Sequence, residues 1–344
     1  MSDNLSPPRV ASQQPSSPPS PKTSAKQGMI EGFRVHGDGR VEPVDDPVGA
    51  KAPRGGFLWL HLQVGDAREL IEQGLELDPM VIRSLLAQET RPRCQHLGGG
   101  TIINLRGVNL NAGDRPEDML SLRCWLEPSR LITARIRKSL AVEELRERYR
   151  RGESHERAGS LLVDIIRRLL SLIDPVTDAL ADGLDGYEEA ARRSEGDDSL
   201  LETVASMRHD AVIYRRYLAP MRDAIVKLAH EDTPALEDRD VVEAQEEADR
   251  AMRIVEELEM TIERTSVIVE QLAAGRSDRM NRNMMILSVI SAIFLPLGFI
   301  TGLLGINVGG LPGTDSPYAF TVVVAACLLI GGAAGFFFKA KDWF

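Results

Sequence analysis

The sequence predicts an α/β domain, a long stalk helix that leaves it, and two C-terminal transmembrane helices. Three observations carry this. Between Arg282 and Lys339 the only Asp, Glu, Lys or Arg is Asp315, so two apolar runs close the chain. Between Met29 and Arg137, short strand-like runs mix with short helical ones. From Glu237 to Pro296 no proline interrupts the chain, and most of that stretch carries an apolar seam at strict 3–4 spacing.

Residues 1–28 contain six prolines and little apolar mass, and are expected to be a disordered tail. The α/β domain is expected over 29–138. "FLWLHLQV", Phe57 to Val64, reads as a strand. Asp66 is placed to cap a helix reaching about Gln73. Asp78-Pro79 opens "MVIRSLLAQ", with Asp at the cap and Pro at the first helical position. "RCQHL", "TIINLRGVNL", "MLSLRCWLE" and "RLITARIR" read as strands separated by Gly- or Pro-containing turns, Gly98-Gly99-Gly100 among them.

A helical region is expected over 139–236. "VEELRERYR" has charged pairs at i,i+3 and i,i+4. Ser160 to about Arg193 makes one or two helices with Pro175 as a kink or restart, and Leu200 to about His230 makes another. The stalk is expected over 237–283, with the seam Val241, Ala244, Ala248, Ala251, Val255, Leu258, Ile262, Thr265, Val269, Leu272. A single helix from Glu237 to about Leu304 spans roughly 100 Å at 1.5 Å per residue. The competing reading is an ordinary bundle with a linker at "AAGRSDR". Glu231 to Glu263 holds thirteen acidic and three basic residues. That run is either a solvated face or a field that concentrates cations.

The first span, 284–306, has 23 residues and the second, 318–338, has 21, each enough for about 30 Å of hydrocarbon. The loop 307–317 carries no Lys or Arg, whereas Arg276, Arg279, Arg282, Lys339 and Lys341 flank the spans. The positive-inside rule puts the loop outside and both termini, including 339–344, in the cytoplasm. No apolar leader opens the chain, so the N-terminal portion is expected to stay cytosolic. Trp343 and Phe344 read as interfacial anchors.

Along the first span, Asn281, Met284, Ser288, Ser291, Leu295, Gly298, Gly302 and Gly305 form one stripe that collects both serines and the three glycines. Such a stripe serves close helix packing or lines a hydrated lumen. Pro296 frees a backbone carbonyl one turn earlier. Two helices cannot enclose an aqueous path, so conduction requires several subunits.

The net charge of −10 argues against a nucleic-acid partner. Three cysteines exclude a disulfide framework. Cys94 and His96 share a strand face and, with Cys124, have a conceivable zinc geometry, but such residues are more often ordinary strand occupants. No phosphate loop, nucleotide fingerprint or nucleophile–base pattern is legible, so the reading is not an enzyme and needs no cofactor.

"IFLPLGFITGLLGIN", Ile293 to Asn307, resembles the CorA superfamily of divalent-cation transporters, whose first span contains a proline and ends in Gly-Met-Asn. Here the triplet is Gly305-Ile306-Asn307, followed by "VGGLPG". That departure, with "ETRPRC", "LRGVNLNAGDRPEDMLSLRCWLEPSRLITARIRK" and "VEELRER", is similar to the ZntB-like zinc transporter branch. The resemblance implies a CorA-like, pentameric funnel in the bacterial inner membrane, with the first span lining the pore. It places Asn307 at the outer mouth, meeting the metal through its hydration shell. The implied activity is zinc uptake assisted by a proton gradient, with partners limited to its own copies, the bilayer and the transported Zn2+ or other divalent cations. Ile306 in place of methionine puts magnesium preference in doubt. A magnesium or cobalt channel of the same fold remains an alternative, as does a membrane-anchored scaffold or signalling protein.

Overall fold

A computed structural model describes residues 29–88, 91–193, 197–230, 233–306, 311, 313 and 316–341. The chain divides into two compact units, Met1–Asp182 with His209–Ile262, and Gly183–Arg208 with Glu263–Phe344.

The first unit is organised by a seven-stranded sheet of order β2-β1-β3-β7-β6-β5-β4. Its strands are β1 (Met29–Val35), β2 (Val41–Pro43), β3 (Phe57–Gln63), β4 (Arg93–Leu97), β5 (Gly100–Gly107), β6 (Leu120–Glu127) and β7 (Arg130–Arg135). All neighbours are antiparallel except β3 and β7. A parallel pair needs a crossover, and here everything from Val64 to Ser129 lies between the two strands. The β1–β2 hairpin was not assigned from the sequence: β2 is only three residues long, and the Asp38-Gly39 turn signal went unused. Gly39 has φ +84°, a left-handed value that glycine adopts without steric cost. Gly56 is required for a different reason: a Cβ there would lie 1.9 Å from the Val35 carbonyl oxygen.

Alternation along β3 buries both faces of the sheet. Phe57 and Trp59 point into one core, Leu58, Leu60 and Leu62 into the other. The second core is closed by a helical turn at Leu70–Gly74 and by α1 (Pro79–Leu86), through Ile71, Val81 and Leu85. Asp78 caps α1, its Oδ1 accepting from the Met80 N–H at 2.7 Å, as Asp-Pro predicts. The first core is covered by α2 (Leu140–Arg150), α3 (Ala158–Asp182) and parts of two longer helices, α5 (Asp198–His230) and α6 (Asp238–Leu304). Each fully buried Leu, Ile or Phe in these layers contributes about 1.5–3 kcal/mol.

Pro175 does not restart the chain in a new element: α3 runs through it to Asp182, and the next helix, α4 (Leu184–Arg193), begins after Gly183. The predicted stalk and first span form one helix. All 67 residues of α6 are helical, including Ala273–Arg279, so the linker alternative fails. Along the seam, Ala244, Ala248, Ala251, Val255, Leu258, Thr265 and Leu272 are buried, and Val241, Ile262 and Val269 are half-buried. Part of the acidic run beside it is paired: Arg157 with Asp240, Arg167 with Glu243 and Glu247, and Arg215 with Glu259.

Asp164 on α3 anchors a polar junction with α2. His155 Nε2 lies 3.1 Å from its Oδ2, Arg148 Nη1 3.0 Å and Arg168 Nε 3.4 Å. Burial pushes its carboxyl up, but the His155 hydrogen bond and the Arg168, His155 and Arg148 charges outweigh it, lowering the pKa from 3.8 to about 2. A carboxyl depressed on folding adds stability above its unfolded pKa and loses it as pH falls through the folded value. Asp164→Asn is therefore expected to cost about 1–2 kcal/mol at neutral pH, discounted for solvent screening. The difference between parent and variant should shrink between pH 4 and about 2, which denaturant melts at stepped pH would check.

In the second unit, Leu184, Ala191, Leu200 and Val204 bury against Ile268 and Leu272 of α6. Arg264 pairs with Asp185 and Glu188 across the same helices. The unit ends in α7 (Ala319–Ala340).

Candidate functional site

The two apolar helices have mean hydropathies of 2.2 and 2.3 over their best windows, and almost none of that surface is buried within the chain. Phe294, Leu295, Phe299, Phe320, Leu328, Leu329 and Phe336 are each more than 60 % exposed. Apolar surface on this scale requires lipid or protein against it.

Within α6 the half that meets α7 is defined by burial. Val289 is 1 % exposed, and Met285, Ile293, Leu297 and Ile300 are half-buried. On α7 the half-buried residues Val323, Cys327, Gly331, Ala334, Gly335 and Phe338 share one face. Leu297 Cδ1 would lie 3.7 Å from a Cβ placed on Gly331, which sets the two faces together. Sequence reasoning did not assign the α7 face. Its signal is faint, a run of small residues at 3–4 spacing inside a uniformly apolar segment.

Asn281, Met284, Ser288, Ser291, Leu295, Gly298, Gly302 and Gly305 are all exposed in the chain. At about 100° per residue they lie on the side of α6 opposite Val289 and Leu297. The stripe therefore faces away from its own second span. A Cβ on Gly298 or Gly302 would meet nothing within 4 Å, so no packing inside the chain explains either glycine. Thr301, the polar residue off the stripe, turns its hydroxyl back to donate to the Leu297 carbonyl at 2.9 Å and is satisfied within the helix.

At the end of α6 the Gly305 N–H donates to the carbonyls of Thr301 at 2.9 Å and Gly302 at 3.2 Å, closing the last turn. Ile306 is 47 % exposed. Asn307, Asp315, Trp343 and Phe344, and the tail 1–28, lie outside the described residues. The stripe, Gly305 and Ile306 are thus brought onto one helix and its final turn.

No group of three or more His, Cys, Asp or Glu with metal-holding geometry occurs among the described residues. Cys94 and Cys124 flank Ile103 on adjacent strands, and all three are buried in the first core. Burial pushes the Cys124 thiol up, away from the thiolate that a metal needs. His96 Nδ1 is 2.7 Å from Thr101 Oγ1. These residues are strand occupants, and no side chain on the stripe carries a formal charge. The first span thus offers serine hydroxyls and glycine backbone on one exposed face.

The profile of a family described as CorA-like Mg2+ transporter protein matches residues 54–340. A divalent cation transporter, CmaX, of Pseudomonas aeruginosa is 37 % identical over 317 residues, covering 90 % of this chain and 94 % of that protein. A zinc transport protein, ZntB, of Pectobacterium carotovorum is 34 % identical over 330 residues, covering 92 % and 96 %. The solved full-length CmaX structure superposes with a TM-score of 0.76 at 36 % identity, covering 92 % of this chain and 98 % of that one. The CorA magnesium transporter of Methanocaldococcus jannaschii shares the fold, with a TM-score of 0.75 at 17 % identity over 91 % and 98 %.

Proposed function

From the premise that this chain belongs to the CorA-like Mg2+ transporter family, we propose that it carries divalent cations across a membrane and that its preferred cargo is zinc. The observation that carries this reading is the polar and small stripe turned away from α7. A helix hairpin used only as an anchor has no reason to keep serines and unpacked glycines on one face. Five such faces around an axis make a continuous lumen, with Asn281 and Met284 at its inner end and Gly302 at its outer end.

At the outer mouth five copies of Asn307 present neutral amide oxygens. A small divalent ion gives up its hydration water reluctantly. Amide oxygens accept hydrogen bonds from that water without stripping it, and they bind weakly enough to release the ion. Gly305 lets five backbones approach closely just below that ring. The ion moves inward, and both termini face the cytoplasm of a bacterial inner membrane. Ile306 in place of methionine, and the zinc transport protein among the relatives, favour zinc over magnesium or cobalt.

Proton relays within membranes use Asp, Glu or His, and neither span contains one. Any coupling then runs along the hydrated lumen or through a titrating group outside the spans, and it is loose. The test is metal-resolved flux into proteoliposomes holding the purified protein, with voltage clamped by potassium and valinomycin. Zinc should enter without a proton gradient and faster with an inward one, and ahead of cobalt and magnesium. Magnesium entry outrunning zinc overturns the cargo assignment. A fixed proton-to-zinc stoichiometry with no flux at zero gradient overturns the loose coupling.

A further inference from the structure

The sheet domain carries an open cavity away from the two spans. Where the ends of β5 and β7 meet the start of β6 and the side of α5, an open cavity of about 810 Å3 is lined by Arg91, Arg106, Arg137 and Arg216. Two of these guanidiniums are held in place. Arg106 lies 4.7 Å from the centroid of the Tyr217 ring, and its Nη1 donates to the Met119 carbonyl at 3.2 Å. Arg216 lies 4.8 Å from the same centroid, and its Nη2 donates to the Tyr217 hydroxyl at 3.1 Å. The other two, Arg91 and Arg137, are exposed and make no hydrogen bond or ion pair among the described residues.

Among the described residues the acids of the lining are Glu117 and Asp118, and Glu117 is already paired with Arg115. Behind the wall lies a fifth guanidinium. Arg123 is 0 % exposed, and its Nη2 donates to the carbonyls of Ala87 at 2.5 Å and Gln88 at 3.2 Å. Its Nε and Nη1 have no hydrogen-bond partner among the described residues. Burial, and then the nearby Arg106 charge, lower its pKa to about 10, so at neutral pH it still adds a positive charge. A buried guanidinium paired with carbonyls and with no carboxylate among the described residues raises the local potential further.

We propose that this cavity binds a multiply charged phosphate anion, with Arg91 and Arg137 as the clamping residues and Arg106 and Arg216 as the fixed floor. The chemistry is that of the guanidinium, whose planar fork pairs two N–H groups with two phosphate oxygens. Charge count selects against a single carboxylate, because four lining arginines face two acids. The volume exceeds what one inorganic phosphate fills, so a polyphosphate or nucleotide fits better. Clamping residues left without an internal partner lose no intramolecular bond when the ligand arrives.

The experiment uses the full-length protein in detergent, in phosphate-free buffer containing EDTA, titrated calorimetrically with inorganic phosphate, pyrophosphate and ATP. Saturable binding of pyrophosphate and ATP is expected, tighter than that of inorganic phosphate and weakened by added salt. Arg91→Gln and Arg137→Gln should each weaken it about tenfold, as loss of one charge-assisted bond implies. Both substitutions are on exposed side chains, and Arg40→Gln, on the distant β1–β2 turn, should leave binding unchanged. Equal affinity for pyrophosphate and ATP means that the site reads phosphate charge alone, and tighter ATP means that it also reads the nucleoside. Absence of saturable binding, or binding that both clamp variants retain unchanged, overturns the proposal.

Discussion

Asn307→Ala is expected to lower zinc influx by about tenfold or more, with the assembled protein recovered in normal yield. The proposed role of Asn307 is to offer amide oxygens to a hydrated ion at the mouth. Five methyl groups in their place leave the approaching ion without hydrogen-bond partners where the pore is narrowest. A rise of about 1.4 kcal/mol in the entry barrier already gives a tenfold loss. Assembly is expected to survive, because the residue follows in sequence the end of α6 at Leu304 and lies outside the apolar runs of the two spans. Influx at the parent rate, in a variant that elutes as the parent oligomer, would remove Asn307 from the pathway.

Ser291→Leu is expected to abolish most influx, whereas Ile290→Leu leaves it intact. Ser291 lies about 200° around α6 from Val289, on the exposed stripe, and Ile290 lies only about 100° from it. In the proposed pentamer the first substitution sets five isobutyl groups at one level of the lumen, which both narrows and dewets it. Neither substitution places a polar group in lipid, so insertion is unaffected. Zinc-reporter fluorescence in matched proteoliposomes distinguishes them. Equal rates from the two variants would show that the stripe does not line the path.

Much of the fold was legible because its signals are physical constraints that few other sequences satisfy. Long runs without charge have few destinations besides a bilayer, and the Asp78-Pro79 pair predicts a helix start that the Asp78–Met80 hydrogen bond realises. The seam from Val241 to Leu272 predicted a helix, and burial along it follows the predicted positions. What escaped had weak local signals. The β1–β2 hairpin is held by pairing with β3 through long-range contacts such as Phe33 with Trp59, which no window of sequence contains. Pro175 reads in sequence as a kink or a restart; α3 continues through it, with Ile173 and Thr177 buried on either side.

The candidate site divides in the same way. The stripe could be read from the residues, since 3–4 spacing collects serines and glycines on one face. Its direction could not, because which half of α6 meets α7 depends on Val289 and Leu297 and on the small face around Gly331. The arginine cavity was invisible in sequence for a related reason. Arg91, Arg106, Arg137 and Arg216 are spread over more than a hundred residues of sequence, and only sheet order and the placement of α5 bring them to one mouth.

The central claim is that the stripe on α6 faces a water-filled path, and thiol accessibility during flux tests it most directly. Cys327 is first replaced by alanine, since it is the one cysteine in the spans. Ser291→Cys and Ile290→Cys are then made separately and exposed to a charged, membrane-impermeant methanethiosulfonate while zinc influx is recorded. The account predicts rapid block of the Ser291→Cys protein, slowed by zinc in the bath, and no block of the Ile290→Cys protein. Block confined to Ile290→Cys, or none in either, would contradict it.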